Sequence, residues 1–234
     1  KTKATGSTEY NQTLGTYVFD FSKVSTKIVL DNTELTGTGW MYTNSGTLAF
    51  DNYNGKEIFY GMTEVNLKGI NTINAYGNAD LGHGEGSYVI KAKDNSALNV
   101  KATDGEASLT INQHADAFTI YSHGALTVGD NTNSAKRTIL TINGGDRGLY
   151  SGTSIALNNS DVTISVSEYG IRTISNASPG TLAMVNSTAK VDLQTENEYV
   201  NGEGGDDRFG VKVTALETID KESVLTTDGL RLKT

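Results

Sequence analysis

Three families of short apolar-alternating segments recur along this chain in a fixed order, and that order is its strongest constraint. In the first, a small residue precedes an apolar one: Ala117-Phe118, Gly148-Leu149, Gly170-Ile171, Gly210-Val211 and Gly229-Leu230. The second follows it: Ala97-Leu98, Ala125-Leu126, Ile155-Ala156, Leu182-Ala183 and Leu216. The third closes the cycle: Leu109-Thr-Ile111, Leu140-Thr-Ile142, Val162-Thr-Ile164 and Val191-Asp-Leu193. Alternation over four to six residues marks a strand with one face buried. Three such strands repeating about every 20 to 30 residues, with no helix between them, describe a solenoid. The reading is an all-β fold: a right-handed parallel β-helix with three short strands per rung.

The rest of the composition follows from this. The chain has 234 residues with 26 Gly, one Pro and no Cys. Every rung donates ladder hydrogen bonds to its neighbours, which proline cannot do. The glycine before each apolar anchor is expected to supply an open backbone conformation at a corner, and Asn and Ser are expected to hold the other corners. Zero cysteine excludes a disulfide scaffold and a cysteine–zinc site, and no apolar run is long enough to span a membrane. Residues 1–234 read as one domain excised from a longer surface protein. Residues 1–26 form less regular N-terminal rungs or a cap, and 194–208 an acidic, Gly-rich loop insertion. The strands Tyr17-Val-Phe19, Lys27–Leu30, Thr47–Phe50 and Glu64–Leu67 are expected to be early rungs. Ten or so rungs at about 4.8 Å each would make a rod of roughly 45–50 Å.

The formal charge is −8, from 19 Lys plus Arg against 27 Asp plus Glu. Nucleic acid and anionic lipid are therefore poor partners at neutral pH. With roughly half the carboxylates protonated near pH 4 and the His charged, the net charge becomes on the order of +8.

Catalysis has little purchase in the sequence. Gly82-His83-Gly84 matches one segment of the galacturonan hydrolases, whose aspartate pairs protonate the leaving group and activate water; their Arg-x-Lys and Asn-Thr-Asp blocks are missing. Glu203, Asp206 and Asp207 are the best acid cluster for calcium, and they read as a solvated loop. His83, His114 and His123 read as surface or corner histidines. No catalytic residue, metal site or cofactor is assigned.

Stacking gives a stronger signal. Equivalent positions of successive rungs lie above one another, and residues after each anchor point outward. Thr119, Tyr150, Arg172, Lys212 and Arg231 form one such line, with Tyr121, Gly152, Ile174, Thr214 and Lys233 two positions on. Lys91 and Lys93 extend it to an earlier rung. The candidate ligand-binding set is Lys91, Lys93, Tyr121, Tyr150, Arg172, Lys212, Arg231 and Lys233: a basic, Tyr-bearing stripe on an acidic protein. Arg clamps carboxylate or sulfate through two parallel hydrogen bonds, and Tyr offers a flat apolar face to a sugar ring. The competing reading is a charged face that only keeps the sheet soluble.

The segments Leu30-Asp-Asn-Thr-Glu-Leu-Thr-Gly37, Gly46-Thr-Leu-Ala-Phe-Asp-Asn52 and Lys68-Gly-Ile-Asn-Thr-Ile73 resemble the pectate-lyase-like adhesive domain of cell-wall-anchored surface proteins from lactobacilli and related Gram-positive bacteria. The later rungs are similar too, so the resemblance runs from about Lys27 to Leu230. It implies a right-handed β-helix without enzymatic activity, displayed outside the cell and attached to host or environmental glycans. Acidic polysaccharide, mucin or glycosaminoglycan would be the partner of a monomeric module. The resemblance carries over no binding residue. A polysaccharide lyase or hydrolase of the same fold, and a structural stalk or autotransporter passenger, are the alternatives.

Overall fold

The structure, a computed structural model, describes residues 7–11, 16–21, 34–43, 45–75, 88–114, 118–174, 180–194, 208–228 and 230–232. It is a right-handed parallel β-helix of three sheets. The first elements are β1 (Ser7–Asn11), β2 (Thr16–Asp20), β3 (Glu34–Gly37), β4 (Trp40–Thr43), β5 (Thr47–Asp51) and β6 (Asn54–Gly55). Six complete rungs follow among the described residues. The first three are β7, β8 and β9 (Ile58–Met62, Glu64–Lys68, Ile70–Ala75), β10, β11 and β12 (Tyr88–Ala92, Leu98–Ala102, Ala107–Gln113), and β13, β14 and β15 (Phe118–Ser122, Leu126–Gly129, Thr138–Asn143). The next three are β16, β17 and β18 (Arg147–Ser151, Ile155–Asn158, Ser160–Val166), β19, β20 and β21 (Tyr169–Thr173, Thr181–Val185, Thr188–Leu193), and β22, β23 and β24 (Phe209–Val213, Ala215–Ile219, Val224–Thr227). β25 (Leu230–Leu232) begins another turn on β22.

The first strand of each rung builds sheet 1, the second sheet 2 and the third sheet 3. The sequence families map onto them except at Ala117-Phe118 and at Val191-Asp-Leu193, where Ala189-Lys-Val191 takes the place of Val162-Thr-Ile164 on the next rung. In sheet 2, Leu98, Leu126, Ile155, Leu182 and Leu216 stack in register. In sheet 3, Leu109, Leu140, Val162 and Ala189 form one inward ladder, and Ile111, Ile142, Ile164 and Val191 the next. All of these except Leu216 are almost fully buried. Each Leu, Ile or Val so placed contributes about 1.5–3 kcal/mol of burial, which is what fixes the register of a sheet with one buried face.

The N-terminal part departs from the expected early rungs. β1 and β2 pair antiparallel, as do β3, β4 and β5 in succession; β2, β5 and β6 then join the parallel stack, on β7, β8 and β9. Phe19, Phe21, Trp40, Tyr42 and Phe59 pack together there, with Phe21 and Tyr42 stacked at 3.8 Å. An end layer of large rings covers the apolar floor of the first rung, and antiparallel hairpins supply it because they reverse the chain over few residues. Residues 27–30 lie outside the described residues, as does 195–207, nearly all of the expected acidic loop.

Asn holds corners as expected, but the glycines before the apolar anchors play a different part from the one expected. Left-handed backbone occurs between sheets 2 and 3, at Asn52, Gly69, Gly105, Gly129, Asn159 and Asn186. Asn tolerates this conformation and ties it down: Asn159 Nδ2 donates to the carbonyls of Asn133, Ser134 and Lys136, and Asn186 Nδ2 donates to Asn159 Oδ1 at 2.8 Å. Gly148, Gly170 and Gly210, the glycines before the apolar anchors, have no positive φ. Their role is space. A Cβ on Gly170 would lie 2.0 Å from Val191 Cγ1 and 2.9 Å from the Gly210 carbonyl; one on Gly148 would lie 2.6 Å from the Gly170 carbonyl and 2.8 Å from Ile164 Cγ2. Two successive residues of β10, β13, β16 and β19 therefore face inward; Val89 and Thr119 fill the first of these places in β10 and β13, whereas at Gly148 and Gly170 sheet 3 is too close to admit a side chain.

Candidate functional site

This double-inward step sets the outer face of sheet 1. In β10, Val89 and Ile90 belong to the core while Tyr88 and Lys91 face out; in β16, Gly148 and Leu149 face in while Arg147 and Tyr150 face out. Two outward ladders result. The first is Tyr88, Phe118, Arg147, Tyr169 and Phe209. The second is Tyr60, Lys91, Tyr121, Tyr150, Arg172 and Lys212, with Arg231 at the next register position after Lys212.

Six of the eight sequence-assigned residues thus occupy one continuous ladder: Lys91, Tyr121, Tyr150, Arg172, Lys212 and Arg231. Lys93 falls beyond the end of β10, exposed and off the ladder. Lys233 lies outside the described residues. Two placements are corrected. Phe118 is not a core anchor but an outward residue, and Ile120 stacks on Leu149 in its stead. Thr119, read as outward, takes the inward place that Gly148 takes on the next rung, and is fully buried. The small-then-apolar signature is met by Thr119-Ile120, two residues after the Ala-Phe pair that mimics it. The same shift sets Tyr121 directly on Tyr150 rather than level with Gly152.

The face is also less open than a solvated stripe. Ile58, Tyr60, Tyr88, Phe118, Tyr121 and Tyr150 form a second buried cluster, separate from the interior core. Tyr121 stacks on Tyr150 at 5.6 Å and Phe118 meets Tyr150 edge-on at 4.8 Å. Cations lie across the rings: Lys91 over Tyr88 at 5.3 Å, Arg147 over Phe118 at 4.3 Å, Arg172 over Tyr169 at 4.3 Å and Tyr150 at 5.3 Å, and Lys212 over Tyr169 at 5.4 Å. Each such contact is worth roughly 0.5–2 kcal/mol and fixes a side chain that would otherwise sample many rotamers. The rings gather toward β7, β10 and β13, and the cations toward β16, β19 and β22.

A cleft of about 390 Å³ opens on this face, lined by Tyr88, Phe118, Tyr121, His123, Tyr150, Gly152 and Ile174. At its edge Tyr121 Oη lies 3.3 Å from His123 Nδ1, His123 Nε2 lies 3.8 Å from Asp94, and Lys91 Nζ lies 3.5 Å from the same carboxylate. Sequence reading placed His123 at a corner, which holds. It missed the contact with Tyr121, because that contact depends on β13 bringing residues 121 and 123 to one rim. Arg147 pairs with Glu168 at 2.9 Å. Arg172 makes no hydrogen bond or ion pair among the described residues.

Gly82-His83-Gly84, Glu203, Asp206 and Asp207 lie outside the described residues. Among the described residues no group of three His, Asp or Glu is placed to hold a metal ion, and no helix is long and apolar enough to cross a membrane. No family model, curated protein or solved structure matches the chain.

Proposed function

We propose that this chain is a non-catalytic glycan-binding module of a bacterial cell-surface adhesin, which grips acidic polysaccharide of host epithelium or mucus through the outer face of sheet 1. The observation that carries this reading is the ladder Lys91–Tyr121–Tyr150–Arg172–Lys212–Arg231, a row of rings and cations built by register on a chain of net charge −8. Rings give a sugar its flat apolar contact and cations give its charged groups their partners. A polymer lying along the rod meets one such contact per rung, which is how solenoids build extended binding surfaces. A surface protein of this kind works outside the cell as a monomer, without a cofactor. Acid favours the contact, because the net charge of −8 at pH 7 shrinks and then changes sign as the chain's carboxylates are protonated. A glycan-array screen at pH 4 and pH 7 tests the proposal. Selective capture of uronate-rich or sulfated chains, stronger at pH 4, supports it; capture of neutral glycans only, or of none, refutes it.

One observation favours a second reading, a polysaccharide lyase. His123 stands at the rim of the aromatic cleft with Tyr121 Oη 3.3 Å from its Nδ1 and an Asp94 carboxylate oxygen 3.8 Å from its Nε2, and histidine is the commonest general base. Incubation with polygalacturonate, with and without calcium, separates the two. Unsaturated product that disappears in His123→Ala would establish the lyase; its absence leaves the binding module.

A further inference from the structure

Arg172 differs from Lys91 and Arg147 on this face. Lys91 and Arg147 lie against rings and are also held by Asp94 and Glu168. Arg172 lies across two rings, Tyr169 and Tyr150, with no carboxylate or hydrogen-bond acceptor on its donors among the described residues. Its guanidinium is positioned through its flat faces, while the in-plane N–H fork is left unspent.

The cleft beside it is shaped by the same rungs. Tyr150 is the direct ladder partner of Arg172, and Ile174, 38% exposed, follows two residues later. Gly152 lines the cleft, and a Cβ there would lie 2.0 Å from the His123 carbonyl. The two rungs approach this closely only because Gly152 has no side chain. An aromatic wall and an apolar edge line the cleft, and Arg172 stands outside that lining, next to Tyr150 on the ladder with its guanidinium across the Tyr150 ring.

Building on the glycan-binding reading, we infer that Arg172 is the oxyanion fork of a subsite for one acidic sugar residue. The sugar ring lies in the cleft against Tyr121, Tyr150 and Ile174, and two coplanar oxygens of its charged group meet the guanidinium edge. A cationic ligand is disfavoured, because the faces of Tyr88, Phe118 and Tyr150 already carry the protein's own cations. The planar fork distinguishes this subsite from a general basic surface: a guanidinium matches two oxygens at once, whereas an ammonium is a point charge. The stacked rings have already restricted the Arg172 rotamers, so less freedom is lost on binding.

Arg172→Lys keeps the charge and removes the fork. The intact protein is titrated calorimetrically at pH 4 with short galacturonate oligosaccharides, their methyl esters, and sulfated oligosaccharides of equal length. The carboxylate and sulfate arms identify which oxyanion the fork holds. Arg172→Lys is expected to weaken the preferred acidic probe by about tenfold or more, the scale of a lost bidentate charged contact, with the same melting temperature and no change toward the neutral ester. Equal affinity of wild type and Arg172→Lys for the acidic probe would overturn the subsite while leaving the general reading intact. Failure of the wild type to bind any acidic chain would overturn both.

Discussion

Gly170→Ala is the sharpest test of how the solenoid closes. The added methyl would begin 2.0 Å from Val191 Cγ1 and 2.9 Å from the Gly210 carbonyl. Val191 is fully buried, and the Gly210 carbonyl belongs to the backbone of the next rung, so neither side yields freely. Overpacking of this kind costs about 1–3 kcal/mol. Gly170 has no positive φ, so alanine brings no backbone strain and recovers about 0.4–1 kcal/mol from the unfolded state. The net expectation is a loss of about 1–2 kcal/mol, or a melting temperature lower by roughly 2–8 °C for a chain of this length. Thermal and urea unfolding followed by circular dichroism would measure it. Val191→Ala alone should cost about 2 kcal/mol of burial. The double variant should lose less than the sum of the two, because removing the Val191 methyls makes room for the new one. A Gly170→Ala variant as stable as wild type, or strictly additive effects, would refute the argument that space at the corner selects glycine.

Other consequences are open to measurement. Asn159→Ala should cost about 2–3 kcal/mol, because it forces a non-glycine, non-Asn residue to φ 47° and takes the side-chain donor from the Ser134 and Lys136 carbonyls, Asn133 keeping the Lys136 N–H; Asn159→Gly, which relieves the backbone alone, should cost less in the same urea titration. Arg137 donates to both Asp161 carboxylate oxygens, at 2.5 and 2.6 Å, and holds that carboxyl below its usual range. A depressed pKa stabilises the fold above the unfolded value, near about 3.9, and that contribution fades as pH falls through the folded value. The melting temperature should accordingly gain nothing from protonating Asp161 between pH 7 and pH 5 and lose this contribution only below about pH 4; a loss already complete at pH 5 in wild type, absent in Asp161→Asn, would contradict the pairing. Asp94→Asn and Glu168→Gln together should raise affinity for anionic glycan at pH 7 by releasing Lys91 and Arg147 from their ion pairs, as read by surface plasmon resonance; an unchanged affinity would remove these two carboxylates from the account.

Much of the architecture is legible in the chain. Alternation at Leu109–Ile111, Leu140–Ile142 and Val162–Ile164 specifies inward ladders because one face of each strand is buried and the period is two. The ladder from Lys91 to Arg231 is legible for the same reason, once the rungs are counted. What the sequence hides is where the period breaks. Two successive inward residues in sheet 1 make Ala117-Phe118 imitate an anchor that Thr119-Ile120 supplies, and alternation alone cannot locate such a step. The antiparallel strands from Glu34 to Asp51 look like any other alternating segments, because pairing direction leaves no trace in a two-residue period. The burial of Lys91, Tyr121 and Tyr150 arises from packing between rungs, which single-strand patterns do not report. The glycines announce themselves by position, yet their cause, contact with Val191 and Ile164 across the interior, belongs to the third dimension.

The most direct measurement of the binding face is a titration of galacturonan and a heparin-like chain into wild type and into the Arg172→Ala, Lys212→Ala, Arg231→Ala triple variant, at pH 4 and pH 7. Wild type should bind the acidic polymer more tightly at pH 4, and the triple variant should lose most of that binding while keeping its fold. Binding that is equal or weaker at pH 4, or a triple variant that binds like wild type, would show that this face does not hold the glycan.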